Sequence, residues 1–456
     1  LTTQPTGESV HPAQHLLSGL NQCLERGDTD GLRTLLASAE PADVAAALAE
    51  LEDDERARIF RLLDAEFGAE VLDELDGRTL QAIAAAAPRR VQAAVGKLEP
   101  DEVADVLEAL PDEQADAILG AFPQEQATTA EQLLTYPSDT AGGLMTTEFV
   151  LLRQDMTARQ AIEVTQRSRE SETVAHLFVA DRQGRLVGYL PLQRLVFGPP
   201  ERRVGELMEE RPHTVEVETD QEELVRAATK YDLDVIPVVG RDGKMMGVVT
   251  VDDILEAAEQ EVDEDMYRLA GTGERDPVHA SVYRSTKLRL PWLLLSVLDG
   301  LFIAFVVSRF EGTLRVVQLS FFIPLIPLMG GNVAIQGSTI VVRGLALGHI
   351  HRGRIARFLV KQLLITLLLS LLCAVAAGVL GGLVVGTGPG VMLAVGLAVC
   401  ISINVAGMMG MTFPLAFNAI GIDPAVSSGP FVTILNDLFC ISIYLVLGTV
   451  LTPAVG

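Results

Sequence analysis

The chain has 456 residues, enough for several domains, and a net charge of −25 that is carried very unevenly. Residues 284–456 hold 10 Lys/Arg against 4 Asp/Glu, whereas residues 1–283 hold 25 against 56, so an acidic front half adjoins a mildly basic, apolar back half. The acidic half should repel nucleic acid and anionic lipid and attract cations, which excludes a nucleic-acid partner. Cys23, Cys373, Cys400 and Cys440 form no CxxC pair, so neither a disulfide framework nor a zinc signature is present. No charged-then-apolar signal stands at the N-terminus, so the front half is expected to stay in the cytoplasm.

Residues 12–136 read as an all-α domain. Apolar residues recur at helical spacing (Leu32-Leu35-Leu36, Val44-Ala47-Leu48-Leu51, Val103-Val106-Leu107-Leu110), with breaks at Pro41, Gly77, Pro88, Pro100, Pro111 and Pro123. Glu-Pro-Ala-Asp-Val-Ala at 40–45 and Glu-Pro-Asp-Glu-Val-Ala at 99–104 share a rhythm, which predicts short helical hairpins in a small superhelical stack. Its acidic outer face reads either as an ordinary solvated surface or as a cation-binding one.

Strand-like runs begin near residue 149 and alternate with a helical stretch at 158–167. The order recurs about 60 residues later: Met145-Thr146 matches Met208-Glu209, and the Asp/Gly turn at 181–184 between apolar strands matches that at 242–243. Residues 137–199 and 200–260 therefore form a tandem α/β repeat. It resembles a pair of CBS domains, the β-α-β-β-α modules that act as a regulatory unit. That resemblance implies either an adenine-nucleotide (ATP) cleft or a plain dimerisation module. Thr250-Val251-Asp252-Asp253 resembles the ribose-contacting end of such clefts, but Leu233 stands where relatives carry an aromatic that would stack a base.

A connecting helix at about 253–283, its core 261–283, carries Asp253, Glu256, Glu259, Glu261, Asp263, Glu264 and Asp265 within thirteen residues. Glu261, Glu264 and Asp265 share a face, with Glu256 near it, and like charges at those spacings repel. A divalent ion bridging them to other acids would remove the repulsion and take the oxygen ligands that magnesium prefers. The alternative is a solvated charged helix.

From residue 284 onward five apolar spans follow, at about 288–307, 314–345, 358–385, 391–420 and 429–451, each long enough for a bilayer core. Arg284, Lys287 and Arg289 precede the first span. Arg343, Arg352, Arg354, Arg357 and Lys361 lie between the second and third. This pattern puts the N-terminus in the cytoplasm and the C-terminus outside. Five spans make a small bundle, which favours a homodimer with a path near its axis. In the second span, Pro324, Pro327 and Gly330-Gly331-Asn332 argue against one smooth helix and predict freed carbonyls that could serve a cation. The fifth span contains Asp437, at a cost of about 2.5–3.5 kcal/mol for a mid-bilayer acid. A chain bears that cost when the carboxylate faces a water-filled path or binds something; the alternative is a polar pair or an interfacial position.

The combined motifs resemble the MgtE family of magnesium channels. They are Asp139-Thr140-Ala141-Gly142-Gly143-Leu144-Met145-Thr146, Gly330-Gly331-Asn332 with Gln336 and Arg343-Gly344-Leu345-Ala346, and Gly421-Ile422-Asp423-Pro424-Ala425 leading to Asn436-Asp437. The resemblance spans nearly the whole chain past residue 12. It implies a homodimeric Mg2+ channel of the plasma (inner) membrane, with Mg2+ both transported and regulatory. Asp437 then matches the pore carboxylate, with Asp423 and Asn332 beside it. The regulatory acids would be Asp101 and Asp105 of the helical domain, Asp220, Glu222 and Asp232 of the second CBS copy, and Asp253, Glu256, Glu261, Glu264 and Asp265 of the connector. Such channels close when cytosolic Mg2+ bridges these acids.

Gly429, Thr433 and the apolar Val333-Ala334-Ile335 depart from the family pattern. Asp299 is an extra acid in the first span that either lines the vestibule or pairs with a polar group elsewhere. His349 and His351 read as interfacial loop residues. A channel or exchanger for Co2+ or Ni2+ is the alternative cargo reading. An enzyme is disfavoured, since the spans lack a nucleophile–base pair or a second convergent acid, and no Walker motif is present for a pump.

Overall fold

The structure, a computed structural model, describes residues 12–167, 176–270, 272, 282–310, 317–346, 349–350, 355–425 and 430–452. The chain divides into two compact units, Leu1–Ala257 and Ala258–Gly456.

The first unit opens with ten short helices: α1 (Pro12–Arg26), α2 (Thr29–Leu36), α3 (Pro41–Ala49), α4 (Asp53–Phe60), α5 (Ala65–Asp73), α6 (Gly77–Ala86), α7 (Pro88–Val95), α8 (Pro100–Ala109), α9 (Asp112–Leu119) and α10 (Gln124–Leu133). The sequence breaks are helix starts. Pro41, Pro88 and Pro100 stand in first turns, where the missing N–H costs nothing, and Pro111 and Pro123 immediately precede α9 and α10. Carboxylates close the N-termini: Asp64 accepts from Phe67 N at 2.9 Å, Asp76 accepts from Thr79 N at 2.9 Å, and Glu99 with Glu102 forms a capping box. Helices pack two apart in sequence, α1 on α3 on α5 on α7 and α4 on α6 on α8 on α10, which is the pattern of a superhelical stack. Leu20, Leu32, Leu48, Ile59, Phe60, Ile83 and Val91 fill its core.

Two sheets follow. β1 (Leu151–Arg153), β2 (His176–Ala180), β3 (Leu186–Pro191) and β4 (Glu209–Glu210) form one; β5 (Val215–Glu216), β6 (Val235–Val239) and β7 (Met245–Thr250) form the other. In each, a parallel pair adjoins an antiparallel hairpin, with a bulge at the equivalent place, Val179/Ala180 and Val238/Val239. Gly184 and Gly243 take φ of +81° and +77° in the two hairpin turns, a conformation that favours glycine. The helices are α11 (Ala158–Arg167), α12 (Leu192–Phe197), α13 (Val204–Leu207), α14 (Gln221–Tyr231) and α15 (Val251–Leu269).

The repeats exchange their opening strands. β4, near the start of the second repeat, pairs with β3 of the first, while Thr146, near the start of the first, exchanges backbone hydrogen bonds with Val248 of β7 at 2.8 and 2.9 Å. The Asp-Thr-Ala-Gly-Gly segment threads this crossing: Ala141 N donates to Thr219 O at 2.7 Å, and a Cβ at Gly143 would lie 2.3 Å from Pro137 O.

Among the described residues of the second unit, five helices are long and apolar enough to cross a membrane. α16 is Val282–Arg309, and a one-turn α17 (Val317–Ser320) leads to α18 (Leu325–Ala346). α19 (Ile355–Val375) runs through a π-turn, Ala376–Leu380, into α20 (Gly381–Val385). α21 (Pro389–Ala419) and α22 (Pro430–Leu451) complete the set. α21 is central, packing on α18, α19 and α22. Small residues allow the close approach, since a Cβ at Gly410 would lie 2.1 Å from Ala334 O and one at Gly396 would lie 3.0 Å from Ala374 O.

The expected irregularity of the second span is confined to its start. Residues 321–324 form a turn, and α18 then runs unbroken through Gly330-Gly331-Asn332. Pro324 lies just outside the helix and Pro327 within its first turn, so neither removes an intrahelical bond. The glycines serve contact instead: a Cβ at Gly330 would lie 2.5 Å from Asn436 Oδ1 and 2.7 Å from Cys440 Sγ. Val333 and Ala334 are packing positions against α21, which accounts for their apolar character. Gly429 and His351 lie outside the described residues; His349 N donates to Gly344 O at 2.9 Å beyond the end of α18.

Gly410→Ala should therefore destabilise the membrane half by about 1–3 kcal/mol, the usual cost of overpacking. Gly300→Ala, with nothing within 4 Å of its Cβ, should be neutral. Thermal melting in detergent measures both, and equal midpoints for the two variants would contradict the packing.

Candidate functional site

Two groups of acidic side chains stand out, one in each unit. In the first unit, Asp101 opens α8 and Asp105 lies one turn later on the same helix. Asp253 and Glu256 occupy the first turns of α15, and Asp73 ends α5. The Asp101 carboxylate is buried, and its Oδ1 has no hydrogen-bond partner. Loss of hydration, and then the charge of Asp253, push its pKa up to about 8. Asp253 is raised to about 6 by burial, against the opposing hydrogen bond that Thr250 Oγ1 donates at 2.8 Å. Asp105 and Asp73 are raised to about 7 by desolvation, then by neighbouring carboxylates, Glu256 first for Asp105 and Glu102 first for Asp73. Both keep a solvent-exposed flank on which the like charges also face water. An orphaned buried carboxylate oxygen amid crowded acids is a donor set suited to a hard cation. Among the described residues no three such groups converge closely enough to close a coordination shell by themselves. An ion here would keep much of its water.

The remaining acids singled out in this unit have local work. Asp220 caps α14, accepting from Glu222 N at 2.9 Å. Glu222 pairs with Arg226 at 2.7 Å on an exposed surface. Asp232 ends α14 in the left-handed region at φ 56°.

In the second unit, Glu261, Glu264 and Asp265 lie partly buried along the later turns of α15. The sequence reading missed Arg268, the one basic residue of that helix. Its guanidinium pairs with Glu264 one turn back and with Asp423 in the turn that precedes α22. Asp423 Oδ1 also accepts from Ala425 N at 2.7 Å. The guanidinium thus compensates charge on both Glu264 and Asp423. The Glu-to-Arg spacing of four was the available signal.

Asp437 lies within α22. Its Oδ1 accepts from Asn436 Nδ2 at 3.0 Å, and the same amide nitrogen reaches Pro327 O of α18 at 3.3 Å. Asp299, on α16, is close enough for its charge to interact with that of Asp437, and α16 packs on α22. Asn332 and Gln336 are exposed along α18, and Thr433 is partly buried on α22.

This arrangement offers carboxylates suited to attracting a cation, and it holds no nucleophile–base pair among the residues named. The chain is 32% identical over 460 residues to a protein of Thermus thermophilus named magnesium transporter MgtE, covering 97% of this chain and 100% of that one. The chain belongs to the MgtE family. A second MgtE, from Bacillus subtilis, is 29% identical over 429 residues, covering 93% and 95% of the two chains. The MgtE divalent cation transporter family matches residues 323–447, the MgtE intracellular N domain matches 39–139, and CBS domains match 141–197 and 204–260. A crystal structure of the cytosolic domain of the Mg2+ channel MgtE in complex with ATP is 34% identical, with a TM-score of 0.50, and covers 53% of this chain and 99% of that one. As an MgtE protein with five apolar helices, the chain is a multi-pass membrane protein and not an enzyme.

The raised carboxylates have a pH consequence. Their folded pKa values lie above the unfolded ones, so between about pH 4 and 8 the folded state binds more protons. Stability without divalent ions should then be greatest at the acid end of that window and fall as pH rises through it. In chelator, the melting midpoint of the cytosolic half should drop from pH 5.5 to 8, and Asp101→Asn should flatten the drop. A midpoint independent of pH would contradict the cluster.

Proposed function

We propose that this chain is a homodimeric Mg2+ channel of the plasma membrane, with its ion path past Asp437 and with closure on cytosolic Mg2+ binding. The observation that carries the reading is Asp437 itself, an acid inside an apolar membrane helix, its carboxylate held by a single amide. That carboxylate attracts a dication, and Mg2+ dehydrates reluctantly, so contact through the ion's waters suits a site with few protein ligands. The names of the relatives support Mg2+ as cargo over Co2+ or Ni2+. The excess of Arg and Lys ahead of the first span and between the second and third supports a cytoplasmic N-terminus and an external C-terminus. A homodimer is supported by α16, which buries no residue within the described chain, and by exposed Asn332 and Gln336.

For gating, α15 is the mechanical element. Its first turns carry Asp253 and Glu256 and its last two turns carry Glu264 and Arg268. Mg2+ shared by Asp101, Asp105, Asp253 and Glu256 would fix the start of this rod. Glu261, Asp265, Asp220, Glu222 and Asp232 belong to the same regulatory set by family resemblance. Arg268 ties the far end of α15 to Asp423, ahead of the helix that bears Asp437. Likeness to the ATP-bound cytosolic domain supports a nucleotide cleft at the Thr250–Asp253 turn.

Mg2+ uptake into proteoliposomes tests the reading. Asp437→Asn should reduce it at least about tenfold, a loss of one charge-assisted contact or more. Competing Co2+ and Ni2+, with and without a sodium or proton gradient, separate the cargo and exchanger alternatives. Uptake at the wild-type rate by Asp437→Asn would overturn the assignment.

A further inference from the structure

Asn436 is fully buried in the membrane half and makes three polar contacts. Its Nδ2 donates to Asp437 Oδ1 at 3.0 Å and to Pro327 O at 3.3 Å, and its Oδ1 accepts from the Cys440 thiol at 3.1 Å. Successive residues on a helix point about 100° apart and do not face one another. A hydrogen bond between neighbours 436 and 437 therefore holds both side chains in chosen rotamers. Pro327 O, in the first turn of α18, anchors the amide from outside its own helix. The room for this clamp comes from Gly330, where any Cβ would strike Asn436 Oδ1 and Cys440 Sγ.

The cysteine decides which end of the amide meets the carboxylate. An amide has one accepting and one donating end. With the thiol donating to Oδ1, the NH2 group faces Asp437. Reversed, Asn436 would turn its oxygen on a carboxylate, a repulsive contact. We propose that Asn436 is a positioning residue of the ion path. It aims the Asp437 carboxylate, and Cys440 sets the sense of its amide. The inference rests on the reading of Asp437 as the path carboxylate. With Oδ1 engaged by the amide, Oδ2 is left to meet the water shell of the ion. Asn436 thus acts on the ion through Asp437 and touches none of it directly.

The test uses full-length protein in proteoliposomes, with initial Mg2+ uptake measured across Mg2+ concentrations and normalised to folded protein by size exclusion. Asn436→Leu keeps the side-chain size and removes the amide. It should raise the half-saturating Mg2+ concentration about tenfold, the value of one hydrogen bond to a charged group, while the maximal rate stays within about two-fold. Cys440→Ala should shift half-saturation in the same direction by less, and Cys440→Ser, which restores a donor, should bring it back. An unchanged half-saturation in Asn436→Leu, or a loss confined to the maximal rate, would overturn the positioning role. If Asn436→Leu does not accumulate, the Cys440→Ala and Cys440→Ser pair decides on the same readout, and equal values for the two overturn it. Asp437→Asn run in parallel separates the levels: wild-type uptake there defeats the path assignment, whereas loss there with wild-type Asn436→Leu defeats this inference alone.

Discussion

A negative charge inside an apolar helix is the constraint on which the membrane half turns. Placing Asp437 mid-bilayer costs about 2.5–3.5 kcal/mol, and one hydrogen bond to a charged group returns about 1.5–3 kcal/mol. The Asn436 amide therefore offsets much of the cost without removing the charge. What remains is an acid held in place and still attractive to a cation. The close-packed glycines follow from the same need. Gly330 admits the amide between α18 and α22, and Gly410 lets α21 approach α18 to backbone contact, so the helices that frame the carboxylate are held without bulky side chains.

The cytosolic half solves the opposite problem. There, burial and then crowding by other acids lift several carboxylates well above their ordinary range, a repulsion that a divalent ion would relieve. α15 carries acids of both kinds: Asp253, crowded near its start, and Glu264, already neutralised by Arg268 near its end. One end of this helix thus carries crowded acids, and its other end is tied by an ion pair to the turn before α22.

Much of this was legible in the sequence because it rests on local chemistry. Prolines at 41, 88 and 100 mark first turns since proline needs no N–H there, and the repeated Asp/Gly turns at 181–184 and 242–243 announce equivalent hairpins. The ten-helix stack follows from the helical apolar spacing, and the five spans from unbroken hydropathy. The unread features depend on distant partners. No local signal shows that Thr146 pairs with Val248 while β4 joins β3, because strand exchange is a matter of register between the two repeats, and Thr146 and Val248 lie about a hundred residues apart. Gly330-Gly331 read as a loosened backbone, whereas its lack of side chains serves contact with Asn436. The pairing of Asp423 with Arg268 went unread because it joins residues 155 apart.

The account stands on a dication meeting Asp437 within the membrane. The most direct measurement is an anomalous-scattering map of crystals soaked in Mn2+, a Mg2+ substitute of similar hardness. A hydrated ion beside the carboxylate should give a peak roughly 4–5 Å from its oxygens, two octahedral-shell steps away rather than the 2.0–2.1 Å of direct Mg2+ coordination. A membrane half without any such peak, or with Asp437 packed against lipid, would contradict the account.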